Sequence, residues 1–103
     1  MNKSELVEAI AAEAEIDKNA AEQALKATLN VITDTVANGE KVTVPGFGTF
    51  ERRDRAAREG RNPQTGDTIK IAKTKVPAFK PGSAFKNYAA MSKKDQAAHR
   101  KTR

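Results

Sequence analysis

The sequence predicts an α+β fold: an N-terminal helical hairpin, a three-stranded antiparallel sheet drawn out into an extended β-ribbon arm, and a short C-terminal helix. Three observations predict it. Apolar residues recur at helical spacing through the first 37 positions, then alternate between turn residues from 41 to 80. Two strand-like limbs, residues 49–58 and 68–76, flank Gly60-Arg61-Asn62-Pro63-Gln64-Thr65-Gly66, a run dense in turn formers. Beyond them Pro81-Gly82-Ser83 leads into a third helical stretch with Phe85 and Tyr88 available for packing.

Asn2, with Glu5 three residues on, reads as a capping box opening the first helix. Leu6, Val7, Ile10, Ala11 and Ala14 form its apolar stripe. Ile16-Asp17 breaks that stripe, and Asp17 is placed to cap a second helix. Ala21, Leu25, Thr28, Leu29, Ile32 and Val36 give the second helix its buried face, and Asn38-Gly39 closes it with a left-handed cap. Lys41-Val42-Thr43-Val44 alternates as a short strand. In Pro45-Gly46-Phe47-Gly48, Pro presets φ and Gly accepts positive φ, the chemistry of a turn. Its Gly-x-Gly leads into the strand pattern of Thr49-Phe50 and not into a helix, so it is no phosphate loop. Val76-Pro77-Ala78-Phe79 returns the chain to the body, and Ser83 is the expected N-cap of the last helix. Residues 1–90 thus make one domain with its arm at about 52–75. Residues 91–103 carry Lys93, Lys94, Arg100, Lys101 and Arg103 against Asp95, and read as a basic, disordered tail.

Charge is divided unevenly. Residues 1–50 hold four Lys against eight acids, net −4; residues 51–103 hold fifteen Lys and Arg against five acids, net +10. Such a half aims at a polyanion. No apolar run approaches membrane-spanning length, and the start of the chain lacks a signal-peptide apolar region. With no Cys, disulfides and thiolate metal sites are excluded. His99, the only histidine, has no acidic cluster or Cys near it in sequence, so neither a metal centre nor a triad is expected, and no cofactor, small-molecule substrate or enzyme activity. Four Phe, one Tyr and no Trp leave few large anchors for a core, which favours two chains sharing one.

The arm concentrates the positive charge. Arg52, Arg53, Arg55, Arg58 and Arg61 go out, and Lys70, Lys73 and Lys75 come back, against Glu51, Asp54, Glu59 and Asp67. Ten extended residues reach about 30 Å, whereas a domain of this length has a radius of gyration of about 13 Å. A two-stranded ribbon is marginal alone in water, so this one is expected to be ordered by something it grips. Guarding a strand edge against aggregation would explain a few of these charges, not eight.

Pro45-Gly46-Phe47-Gly48-Thr49-Phe50, then Gly60-Arg61-Asn62-Pro63-Gln64-Thr65-Gly66, then Val76-Pro77-Ala78-Phe79-Lys80 strongly resemble the bacterial histone-like HU/IHF family, and Met1-Asn2-Lys3-Ser4-Glu5-Leu6 is similar to its opening. The resemblance covers residues 1 to about 90. It implies an intertwined homodimer in which Phe47, Phe50 and Phe79 form a shared aromatic core. It implies that two arms embrace double-stranded DNA, with Arg55, Arg58 and Arg61 against phosphates and the minor groove. It also implies a cytoplasmic, nucleoid-associated protein that bends and compacts duplex with little sequence specificity. The DNA-facing set is Arg52, Arg53, Arg55, Arg58, Arg61, Asn62, Pro63, Lys70, Lys73, Lys75, Lys80, Lys86 and Lys3.

By the same resemblance Pro63 is the intercalating wedge; an ordinary turn proline is the other reading of its spacing. Many family members carry a proline where this chain has Ala72, which predicts a less stiff returning limb. A site-specific, heterodimeric relation to IHF is the alternative function, and RNA, at most a weak partner on this reading, is a more distant one. No aromatic platform of the RNA-recognition-motif kind is present.

Overall fold

A computed structural model describes residues 1–102; Arg103, counted above with the tail, lies outside the described residues. The element order is α1 (Lys3–Ala14), α2 (Lys18–Ala37), β1 (Val42–Val44), β2 (Gly48–Arg55), β3 (Arg58–Arg61), β4 (Thr68–Ile71), β5 (Thr74–Pro81), α3 (Ser83–Ala90) and α4 (Lys93–Lys101). The chain divides into two compact units, one from Met1 to Thr35 and one from Val36 onward.

In the first unit the caps lie where the sequence puts them. Asn2 Oδ1 accepts from the Glu5 N–H at 2.9 Å, and Asp17 Oδ1 accepts from the Ala20 N–H at 2.7 Å, so orphan donors at both helix starts are satisfied. Lys18 Nζ donates to Glu8 Oε1 at 2.8 Å, tying the start of α2 to α1. Val7 and Ala21 are buried. The expected buried face of α2 is only partly so: Leu29 is 52% exposed and Thr28 is exposed; Val31, beside that face, is 63% exposed. One chain supplies too little surface to cover α2 all round.

In the second unit, α2 ends at Gly39, whose φ of +89° and N–H to the Val36 carbonyl make the expected left-handed cap. The Phe47 N–H donates to Val44 O at 3.0 Å around Pro45 and Gly46 (φ +81°), the pattern of a type II turn. β1, β2 and β5 form the three-stranded antiparallel sheet in the order β1-β2-β5, and β3 pairs with β4 in a second, two-stranded piece. Phe47, Phe50, Phe79 and Phe85 cluster with neighbouring ring centroids 4.8–6.4 Å apart. Phe47 is nevertheless 45% exposed, and among the described residues no large side chain is fully buried.

Three expectations need correction. The two limbs of the arm are not continuous: pairing lapses at Ala56-Ala57 and at Ala72-Lys73, where the three alanines give a strand little to pack. The N-cap of α3 is Gly82, with no side-chain bond, and Ser83 is already helical. Gly82 is held there because its N–H donates to Phe47 O at 2.9 Å, which fixes the turn into the helix one residue early. Within the stretch expected to be a disordered tail, residues 93–101 form α4. Ser92 Oγ caps it by accepting from the Asp95 N–H at 3.3 Å, and its last turn holds His99, Arg100 and Lys101 beside the negative end of the helix dipole.

Candidate nucleic-acid interface

Side chains alternate across a strand, so the register assigns each residue of the sheet to a face. Phe50 stands opposite Phe79 and Glu51 opposite Ala78. One face therefore carries Phe50, Phe79, Pro77 and Pro81, the aromatic side. The other carries Thr49, Glu51, Arg53 and Arg55 from β2 with Lys80 from β5. The first is built to be covered. The second is a polar surface centred on one carboxylate.

That carboxylate is Glu51, whose side chain is only 11% accessible. Arg53 Nη2 lies 3.2 Å and Lys80 Nζ 3.5 Å from Oε1, and Lys41 Nζ lies 3.7 Å from Oε2. The Arg53 hydrogen bond holds the Glu51 carboxyl below its ordinary pKa, with partial desolvation opposing and Lys80 reinforcing the shift. Three cations are thereby gathered on one patch of sheet. Glu51 entered the sequence reading only as one acid among many; its place in the β2 alternation between Thr49 and Arg53 was the available signal.

Arg52 belongs to the opposite face, the aromatic side. Its Nη1 donates to Ala37 O at 2.9 Å, satisfying an orphan carbonyl at the end of α2, and it packs against Gly39, where a Cβ would stand 3.1 Å from Nη2. Lys75 shares that face, opposite Asp54.

The arm continues the pair without a slip. Arg55 faces Thr74 on one side of the lapse and Arg58 faces Ile71 on the other, with two residues skipped on each strand. Arg61 and Lys70 alternate onto one face of the β3–β4 ribbon with Glu59 and Thr68; Arg58 lies on the other, with Gly60, Ile69 and Ile71. Arg58 and Arg61 thus point from different sides. Ile71 closes over Gly60, where a Cβ would sit 3.0 Å from Ile71 Cδ1. No residue between Arg53 and Lys75 is buried, and Lys73 is exposed in the lapse.

The tip is a four-residue turn, residues 63–66. The Asn62 N–H donates to Asp67 O at 2.8 Å, and the Gly66 N–H donates to Asn62 O at 2.7 Å, with Gly66 at φ +75°. Asn62 Oδ1 accepts from the Gln64 N–H at 2.9 Å, so Asn62 is first of all the anchor of this turn. Pro63 is exposed at its start. Lys86 is exposed on α3, while Lys3 belongs to the first unit, 3.8 Å from Glu22. Among the described residues no cluster of three or more His, Asp or Glu could hold a metal ion.

Residues 1–90 match the family of bacterial DNA-binding proteins. The chain is 56% identical over 86 residues to DNA-binding protein HU of Lactococcus lactis, covering 84% of this chain and 94% of that protein. It is 50% identical over 90 residues to DNA-binding protein HU 1 of Bacillus subtilis, covering 87% and 98%. Among solved structures, an Anabaena HU–DNA cocrystal structure matches 89% of this chain and all of its own at 48% identity, with a TM-score of 0.85. HU from Thermotoga maritima matches 86% and 98% at 34% identity, with a TM-score of 0.62.

Proposed function

The chain belongs to the bacterial DNA-binding protein family, and from that premise we propose that it is a histone-like nucleoid protein that binds and bends duplex DNA as a homodimer. Its role is architectural and not catalytic. The observation that carries this reading is the arm: a ribbon with Arg58, Arg61 and Lys70, no buried residue and a proline at its turn. Arg and Lys on such a ribbon neutralise phosphates whatever the sequence between them. The minor groove, narrow enough for a ribbon to follow, offers only a degenerate hydrogen-bonding code, which accounts for low sequence preference. Minor-groove proteins of this kind, HU and IHF among them, insert apolar wedges between base steps. Pro63 has the form for it, a rigid ring with no N–H to leave unsatisfied. The patch formed by Arg53, Lys80 and Lys41 around Glu51 offers the floor between the arms.

The homodimer rests on what one chain leaves uncovered. Phe47, Leu29 and Val31 are 45%, 52% and 63% exposed, a cost that a second copy removes by covering them. A nucleoid location in the cytoplasm follows from the ligand; separately, no helix among the described residues is long and apolar enough to cross a membrane. The test is a mobility-shift assay of the purified chain on intact, nicked and mismatched duplexes of unrelated sequence, at several salt concentrations. Comparable binding to all intact sequences, weakened steeply by salt, is the expected result. Binding confined to one sequence, or dependent on a second polypeptide, would overturn the nonspecific homodimer.

A further inference from the structure

We propose that α4 is a second DNA-backbone surface, separate from the arm, which takes phosphates of the same duplex outside the segment the arms embrace. It rests on the DNA-binding reading above. The family match ends at residue 90, so α4 lies beyond the part of the chain that it covers.

A nine-residue helix is marginal alone in water, and this one is fixed by docking on α3. Gln96 Nε2 donates to the carbonyl of Tyr88 at 3.2 Å, which also takes the Met91 N–H, and to that of Met91 at 3.1 Å, just past the end of α3. The Tyr88 hydroxyl donates to Gln96 O at 3.4 Å and accepts from Arg100 Nη1 at 3.2 Å, and the His99 ring lies 5.2 Å from that of Tyr88. Gln96, His99 and Arg100 therefore form the docking side. Lys94 and Lys101 lie round the helix from it and Lys93 lies at its edge beside Arg100, all three exposed and without an acidic partner among the described residues. A basic face held at a set angle on the body can meet a phosphate backbone without the entropy cost of ordering a tail.

Position separates this surface from the arm. His99 lines one open hollow of about 260 Å³ with Gly46, Phe47, Ala84, Phe85 and Tyr88, at the turn before β2 begins. The arm departs from the other end of β2, which at strand rise is about 23 Å away. Phosphates under the arm are out of reach of α4, so a duplex must be long enough to pass both.

The test is the triple variant Lys93→Gln, Lys94→Gln, Lys101→Gln in the full chain, which keeps good helix formers and the Gln96 dock. Binding is measured on duplexes of about 12 and about 60 base pairs, the shorter reaching only about 20 Å to each side of its centre, from about 50 to 200 mM salt, with circular dichroism to confirm unchanged helix content. On the long duplex the variant should bind about tenfold more weakly at low salt, with a shallower slope; each lost phosphate contact removes about 0.9 from that slope. On the short duplex it should match the wild type. Equal loss on both lengths, or none on either, overturns the proposal. So does a difference that shows only as joining of two separate duplexes. A wild-type chain that binds neither duplex would instead overturn the DNA-binding reading itself.

Discussion

Between Gly48 and Pro81 a single antiparallel pair runs from the body to the tip and back in unbroken register, yet its two regions are ordered by different means. In the body, the rings of Phe50 and Phe79 meet at 4.8 Å, Glu51 gathers three cations, and Arg52 closes the end of α2. In the arm, Ile69 and Ile71 beside Gly60 are the large apolar groups, and the tip is closed by its own backbone and Asn62. Register alone does not stabilise a ribbon; what lies on its faces does. The body has its partners within the protein, and the arm is shaped for one outside it.

The largest expected effect is in the body. Phe47→Ala should destabilise by about 3–5 kcal/mol if a second chain covers the exposed part of the ring. The wild-type melting temperature should then rise with protein concentration. A small loss with a concentration-independent melt would mean that one chain stands alone. The two strand glycines make the contrast sharper. A Cβ on Gly48 would stand 2.5 Å from Phe79 Cε1 and 2.6 Å from the Lys80 carbonyl, so Gly48→Ala should cost about 1–3 kcal/mol through displaced backbone and ring. On Gly60 the nearest atom is the mobile end of Ile71, and Gly60→Ala should stay within about 0.5 kcal/mol. Chemical denaturation of both variants checks the pair; equal losses would erase the distinction between body and arm.

What could be read in the sequence follows the same division. The helix caps at Asn2, Asp17 and Gly39 were legible because capping is local chemistry. The turn around Gly66 was legible for the same reason. The bond from Arg52 to the end of α2 was not legible because, in a run of arginines, only strand parity tells which face a side chain takes, and parity depends on register. α4 was missed because its composition is that of a solvated tail. The contact that orders it, Gln96 on the carbonyls of Tyr88 and Met91, is tertiary. The Ser92 cap with Asp95 three residues later was the local signal available.

Acid should act on the body through Glu51. The folded pKa of Glu51 is lowered, so its stabilising contribution is fully present above the ordinary value of 4.5 and is lost as pH falls through the folded pKa. Glu8, held down by the Lys18 hydrogen bond, adds to the same limb in the first unit. Thermal melts between neutral pH and about pH 3 should show the fall, and Glu51→Gln should flatten it. An unchanged acid limb in that variant would mean that the cluster contributes nothing to stability. On the arm, Arg61→Ala should leave the melt unaltered, weaken binding to every duplex, and reduce the salt slope by about 1. A loss that varied with sequence would make Arg61 a base reader instead.

Pro63→Ala should have the smallest effect on both stability and grip, and for that reason it isolates geometry. Pro63 carries no charge, so the salt slope should not move. The turn beneath it is closed by Asn62, Gly66 and Asp67, so the tip should keep its shape. What remains is the bend. Unstacking a base step is unfavourable unless an inserted apolar group replaces the lost contacts, and alanine is too small to fill the gap a pyrrolidine ring fills. Nicked and mismatched duplexes are already easy to kink, so the variant should lose binding least on those. End-to-end fluorescence transfer on a short duplex at saturating protein reads the angle directly, and the variant should hold the duplex straighter than wild type. An identical angle would assign Pro63 to the turn alone and leave the bending to the charge carried along the arm.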